Sequence, residues 1–135
     1  MIEITVEDAV PSLNRLLRLH WAQRRKLTKK WQWLLFTEVY RLGGPMAVFQ
    51  EGKLAVRITR FYRRVPLDED NLAGSAKFVL DAMKVSRLIA DDSPAHIALT
   101  CAQTQGSPRT IIQVSPYNAS VPTTGSPDEP PPSLC

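Results

Sequence analysis

Six of the eleven prolines in this chain fall in its last 20 residues, Pro116 to Cys135. Proline lacks a backbone N–H and locks φ, so Pro127-Asp128-Glu129-Pro130-Pro131-Pro132 cannot enter a helix or a central strand. With so little apolar surface to bury, residues 116–135 are expected to form a disordered tail. Residues 1–115 are then one folding unit, large enough for a single modest core. No apolar run approaches the roughly 18 residues that span a bilayer. Met1 to Asp8 lacks the basic and apolar regions of a secretory signal. Two cysteines, Cys101 and Cys135, are too few for a disulfide scaffold or a structural zinc site. Together these readings suggest a reducing cytoplasm and no membrane partner.

Hydrophobic periodicity divides the folding unit into alternating elements. Ile2, Ile4 and Val6 alternate with polar residues, as in a strand. Pro11-Ser12-Leu13-Asn14 reads as a turn. A helix is expected from Trp21 to Leu42, stopped by Gly43-Gly44-Pro45. Its main apolar stripe is Leu27, Trp31, Leu34, Leu35, Val39 and Leu42, with Glu38 unexplained inside it. Trp33, Phe36 and Tyr40 lie roughly opposite and suggest a second buried face. Leu54, Val56 and Ile58 begin a strand that runs to about Phe61. A second helix is expected over Leu72–Val85, burying Leu72, Ala76, Val79, Leu80 and Met83. Asp70, Gly74, Lys77 and Asp81 cluster on its other side. Ile97–Cys101 and Thr110–Val114 read as strands joined in a hairpin by Gln105-Gly106-Ser107-Pro108. The order βαβαββ implies a small α/β or α+β domain, with a mixed sheet packed by two helices.

Charge is segregated along the chain. Between Leu13 and Arg64 there are 13 basic residues and two acids, a local excess of eleven positive charges. Between Asp68 and Asp92 six acids face Lys77, Lys84 and Arg87. A basic surface attracts a polyanion, whereas the neighbouring acids repel one unless a cation neutralises them. Asp68 and Asp70, two apart in an extended segment, would project to the same side. Carboxylates about 4 Å apart repel by about 4 kcal/mol at an effective dielectric near 20. Asp92, beyond the helix, has the chance to return to the same end of the sheet. Converging carboxylates of this kind suit a hard divalent cation such as Mg²⁺. The same residues also read as helix capping by Asp70 or Asn71 and as a plain turn at Asp91-Asp92-Ser93-Pro94. His20 reads as structural or solvent-exposed. Trp21, beside Arg24-Arg25-Lys26, is the tryptophan best placed to touch nucleic acid.

Arg63-Arg64, Asp68-Glu69-Asp70-Asn71-Leu72, Lys77 followed by Asp81-Ala82-Met83, and then Asp91-Asp92 together resemble the RusA family of Holliday junction resolvases. Pro11-Ser12-Leu13-Asn14-Arg15 resembles that family's N-terminal turn, and the likeness spans about residues 2–114. The resemblance implies a RusA-like fold and a homodimer of phage or prophage type in a bacterial host cytoplasm. It makes Asp68, Asp70, Asp92 and Lys77 catalytic. Asp68, Asp70 and Asp92 would hold Mg²⁺, with Mn²⁺ as a substitute and Asp91 as a further candidate ligand. Ala73-Gly74-Ser75 is a three-residue insertion relative to the commoner spacing, and the proline-rich tail has no counterpart.

The function this implies is a Mg²⁺-dependent endodeoxyribonuclease that resolves Holliday junctions by paired nicks in DNA recombination and repair. Its partners would be four-way and other branched DNA. Arg15, Arg18, Arg24, Arg25, Lys26, Lys29, Lys30, Arg63 and Arg64 would bind the phosphates. Two alternatives remain open at this point: a non-catalytic structured-DNA-binding protein, and a metal nuclease for other branched DNA such as flaps or forks.

Overall fold

A computed structural model of the chain describes residues 2–44 and 52–117. The elements are β1 (Ile2–Val6), α1 (Leu13–Arg18), α2 (Trp21–Arg41), β2 (Leu54–Tyr62), α3 (Glu69–Val85), β3 (Ile97–Gln105) and β4 (Arg109–Pro116). Among the described residues they form a small α+β domain with one mixed four-stranded sheet and three helices. None of the described helices is long and apolar enough to cross a membrane. The folded unit runs slightly past the expected boundary: β4 ends at Pro116, and the Tyr117 N–H donates to the Lys53 carbonyl at 2.9 Å. The rest of the expected tail lies outside the described residues.

The sheet order is β1-β4-β2-β3. β2 and β3 are parallel, from Leu54↔Ile97 to Tyr62↔Gln105, so their connection must cross over, and α3 supplies it. β4 runs antiparallel to both β1 and β2. The expected β3–β4 hairpin is therefore absent. The short connector crosses the end of β2 instead, where the Gly106 N–H donates to the Tyr62 carbonyl at 2.9 Å. Placing β2 between its neighbours pairs its backbone donors and acceptors along both edges.

One sheet face carries Ile4, Val6, Leu54, Val56, Ile58, Ile97, Cys101, Ile112 and Val114, all buried against α2 and α3. From α2, Trp31, Leu35 and Val39 enter this core. Trp31 meets Phe78 of α3 edge-on, with ring centroids 5.9 Å apart. Each such side chain contributes about 1.5–3 kcal/mol on burial. That stripe fills the side of α2 facing the sheet. Trp33, Phe36 and Tyr40 are left exposed rather than buried on a second face, and they stack along the helix at 6.1 and 6.2 Å. Leu42 serves as the C-cap and is 36% exposed. Glu38 is accounted for by its carboxylate, which binds the Arg41 guanidinium at 2.7 Å. The helix stops where Gly43 and Gly44 adopt φ of 110° and 91°, a region that disfavours side chains.

The expected turn at Pro11–Asn14 instead opens the third helix, α1. Six residues are too few to hold a helix alone. Ser12 caps it, its Oγ accepting the Arg15 N–H at 3.1 Å. Docking on α3 does the rest. Leu16 is buried, the Asn14 N–H donates to Asn71 Oδ1 at 2.9 Å, and Ser75 Oγ donates to the Pro11 carbonyl at 2.7 Å. The backbones approach so closely that a Cβ on Gly74 would stand 2.5 Å from Leu13 Cβ. The Ala73-Gly74-Ser75 segment is thus the seat for α1.

Candidate functional site

α3 positions most of the candidate residues. It begins at Glu69, three residues earlier than expected, and its N-cap is Asp68 rather than Asp70 or Asn71. Asp68 Oδ1 accepts both the Asn71 N–H (2.9 Å) and Asn71 Nδ2–H (3.0 Å). Glu69 and Asp70 occupy the first turn, where negative charge suits the helix dipole. Because Asp70 is already helical, the strand-like alternation expected for Asp68 and Asp70 does not apply. Leu67 is tied to β3 through Gln103: its N–H donates to Oε1 at 2.9 Å, and Nε2–H donates to its carbonyl at 2.7 Å. These bonds anchor the acidic start of α3 beside the end of the parallel strand pair.

A cleft of about 350 Å³ is lined by Ala73, Lys77, Leu80, Asp92, Pro94, Ile97 and Leu99. Lys77 reaches Asp92 Oδ2 at 2.7 Å and Asp81 Oδ1 at 3.3 Å. Lys84 reaches Asp92 Oδ1 at 3.4 Å and Asp81 Oδ1 at 3.7 Å. The Lys77 hydrogen bond, reinforced by that of Lys84 and opposed by burial, holds the Asp92 carboxyl down at about 2. The Lys77 ammonium is raised in turn, first by its bond to Asp92 and then by that to Asp81. The Ala73-Gly74-Ser75 segment leaves Lys77 in contact with Asp92.

The structure does not bring Asp68, Asp70 and Asp92 together. Asp92 pairs with the middle and end of α3, whereas Asp70 lies seven residues before Lys77, about 10 Å along the helix axis. Asp91 faces His96, its Oδ2 3.6 Å from Nδ1. Among the described residues, no three His, Cys, Asp or Glu side chains are grouped to hold a metal ion. Mg²⁺, however, commonly takes one or two carboxylates and completes its shell with water and substrate phosphate. Among the described residues, Asp70 is exposed with no hydrogen bond or ion pair, and Asp68 keeps Oδ2 uncommitted beyond its cap bonds. Each of these two carboxylates has the donor chemistry of a ligand for a hydrated hard cation, although helical spacing no longer turns them to one side. The three-aspartate ligand set is not assembled.

Of the proposed phosphate-binding residues, Arg15, Arg18, Arg24, Arg25, Lys26, Lys29, Arg63 and Arg64 are exposed. Lys30 is exposed but pairs with Asp8 at 3.4 Å. Trp21 is exposed beside them, and His20 caps α2, its Nδ1 accepting the Ala22 N–H at 3.2 Å. Arg60, in the same basic half, turns inward: Nε–H donates to the Val10 carbonyl at 2.9 Å, and burial lowers its pKa. Sequence reasoning missed Lys84 and Asn71 as members of the site. The i+7 spacing from Lys77, two helical turns, was the available signal for Lys84. Nothing local signalled that Asn71 joins Asp68 to α1. The chain matches no model of a known protein family and no curated protein.

Proposed function

We propose that the chain is a Mg²⁺-dependent endonuclease for branched DNA, in the manner of the RusA-type Holliday junction resolvases whose motif it resembles. The observation that carries the reading is the cleft itself. Lys77 and Asp92, 15 residues apart in sequence, meet at 2.7 Å in its wall, and the uncommitted Asp70 lies one helical turn before the lining residue Ala73. Asp70, with Asp68 as a second candidate ligand, would hold the cation, which would supply an activated water and positive charge at the leaving oxygen. Lys77 Nζ, on a flexible stem, has the reach and charge to take a phosphate oxygen. The exposed cations of α1, α2 and the β2 exit would follow the DNA backbone.

A homodimer belongs to the same proposal. Trp33, Phe36 and Tyr40 form an exposed apolar row on α2, and a two-fold dimer would match a junction's approximate two-fold symmetry. The ion pairs on Asp92 favour one alternative, a non-catalytic protein that binds structured DNA, because they already neutralise the carboxylate without a metal.

The test is cleavage of a synthetic four-way junction with and without Mg²⁺, beside linear duplex and flap controls. Wild type should nick the junction only with Mg²⁺. Asp70→Asn should bind the junction without metal as tightly as wild type or tighter, because a repulsive charge is gone. Its cleavage should fall about 100-fold or more, since even partners behind a metal ligand are commonly worth 10–100-fold. Wild-type cleavage in Asp70→Asn would refute the mechanism. Junction binding with no cleavage by wild type would establish the non-catalytic alternative, and preferential flap cleavage the other nuclease class.

A further inference from the structure

Lys77, Asp92, Lys84 and Asp81 form a closed ring of alternating charge, in which each lysine touches both carboxylates. Exposure is uneven around it. The Lys77 side chain is 60% exposed and Asp81 50%, whereas Lys84 is 34% and Asp92 18%. Lys77 is the outer cation, its ammonium carried on a flexible four-carbon stem. Lys84 is the inner one, in the last turn of α3, where the helix dipole favours positive charge.

We propose that Lys84 is a positioning residue that keeps Asp92 in place and neutralised when Lys77 Nζ leaves that carboxylate for a phosphate oxygen in the cleft. The inference rests on the reading of Lys77 as a phosphate-binding group. Its physical basis is the cost of the exchange. If Lys77 were the only partner of Asp92, its departure would strand a largely buried carboxylate beside Asp81, and like charges at such range repel. Lys84 already spans both carboxylates, so the departure leaves each with a cation. The ring makes Lys77 releasable, while Asp92 stays oriented toward the cleft.

The experiment follows the side-chain ammonium signals of the full chain by NMR during titration with inorganic phosphate, in wild type, Lys84→Gln and Lys84→Arg. Phosphate should shift the Lys77 signal in wild type. Lys84→Gln should weaken that phosphate response about two- to fivefold, the range of a partly exposed ion pair. Lys84→Arg should restore it, because it keeps the charge. A purely structural role would change the melting temperature and leave the phosphate midpoint where it was. An unchanged midpoint in Lys84→Gln, or a Lys77 signal that ignores phosphate in wild type, would overturn the inference. Junction cleavage measured in parallel separates the two readings. A wild type that cuts junctions while Lys84→Gln keeps its phosphate midpoint refutes only the role of Lys84. A wild type that never cuts, with the phosphate shifts as expected, refutes only the nuclease.

Discussion

Gly74→Ala should destabilise this protein, although alanine is the better helix former by about 1 kcal/mol. Gly74 lies in the second turn of α3, under α1. A Cβ there would stand 2.5 Å from Leu13 Cβ and 2.9 Å from Leu13 Cγ. Side-chain rotation moves Cγ but not Cβ, so the clash must be relieved by shifting α1 about 1 Å. That shift stretches two bonds that seat the helix, Ser75 Oγ to the Pro11 carbonyl (2.7 Å) and the Asn14 N–H to Asn71 Oδ1 (2.9 Å). Each is worth about 1 kcal/mol net, and overpacking of this kind costs about 1–3 kcal/mol. After the gain in helix propensity, the net loss should be about 1–3 kcal/mol. For a domain of this size that is a fall in Tm of roughly 4–20 °C. Thermal and urea unfolding of the two proteins would measure it. The sign is decisive: if Gly74→Ala raised the Tm, propensity would have won, and the close seating of α1 on α3 would be wrong.

The Asp92 carboxyl, held at about 2 against an ordinary 3.8, stabilises the fold above pH 4, and this is lost as the pH falls through 2. The full shift corresponds to a little over 2 kcal/mol, and solvent screening of the exposed lysine partner reduces the expected value to about 1 kcal/mol. Asp92→Asn should therefore be less stable than wild type at pH 6 and nearly equal to it at pH 2, as read by urea unfolding; an equal gap at both would refute the ion-pair account. Junction binding should weaken roughly 10³–10⁵-fold between 50 and 200 mM salt if about 6–10 phosphates are contacted. Replacing Arg24, Arg25, Lys26 and Lys29 together should flatten that slope, and an unchanged slope would move the DNA surface elsewhere. Phe36→Asp should leave the monomer folded, because the ring is exposed, and should abolish a dimer built on the α2 aromatic row. Sedimentation showing an unchanged dimer would exclude that surface.

Local chemistry was enough to place most elements. Alternation in Ile2–Val6, Leu54–Ile58 and Thr110–Val114 reflects one sheet face against a core, a constraint written residue by residue. The Gly43-Gly44 stop of α2 and the buried face of α3 were legible for the same reason. So were the chemical types at the candidate site: acids at the start of α3, a lysine two turns on, and a carboxylate after the helix. Partner choice was not legible. The neighbours of β2 depend on pairings more than 40 residues apart, and alternation is the same whichever strand lies alongside. α1, capped locally by Ser12 but too short to stand alone, depends on its seat against Asn71, Gly74 and Ser75 of another helix. The aromatic row of α2 has the same helical period whether it faces a sheet or water, and only the position of the sheet decided between them. The meeting of Asp92 with Lys77 and Lys84, rather than with Asp68 and Asp70, was likewise set by how far along α3 the chain returns to begin β3. That depends on the packing of helix against sheet, and no spacing between the motifs encodes it.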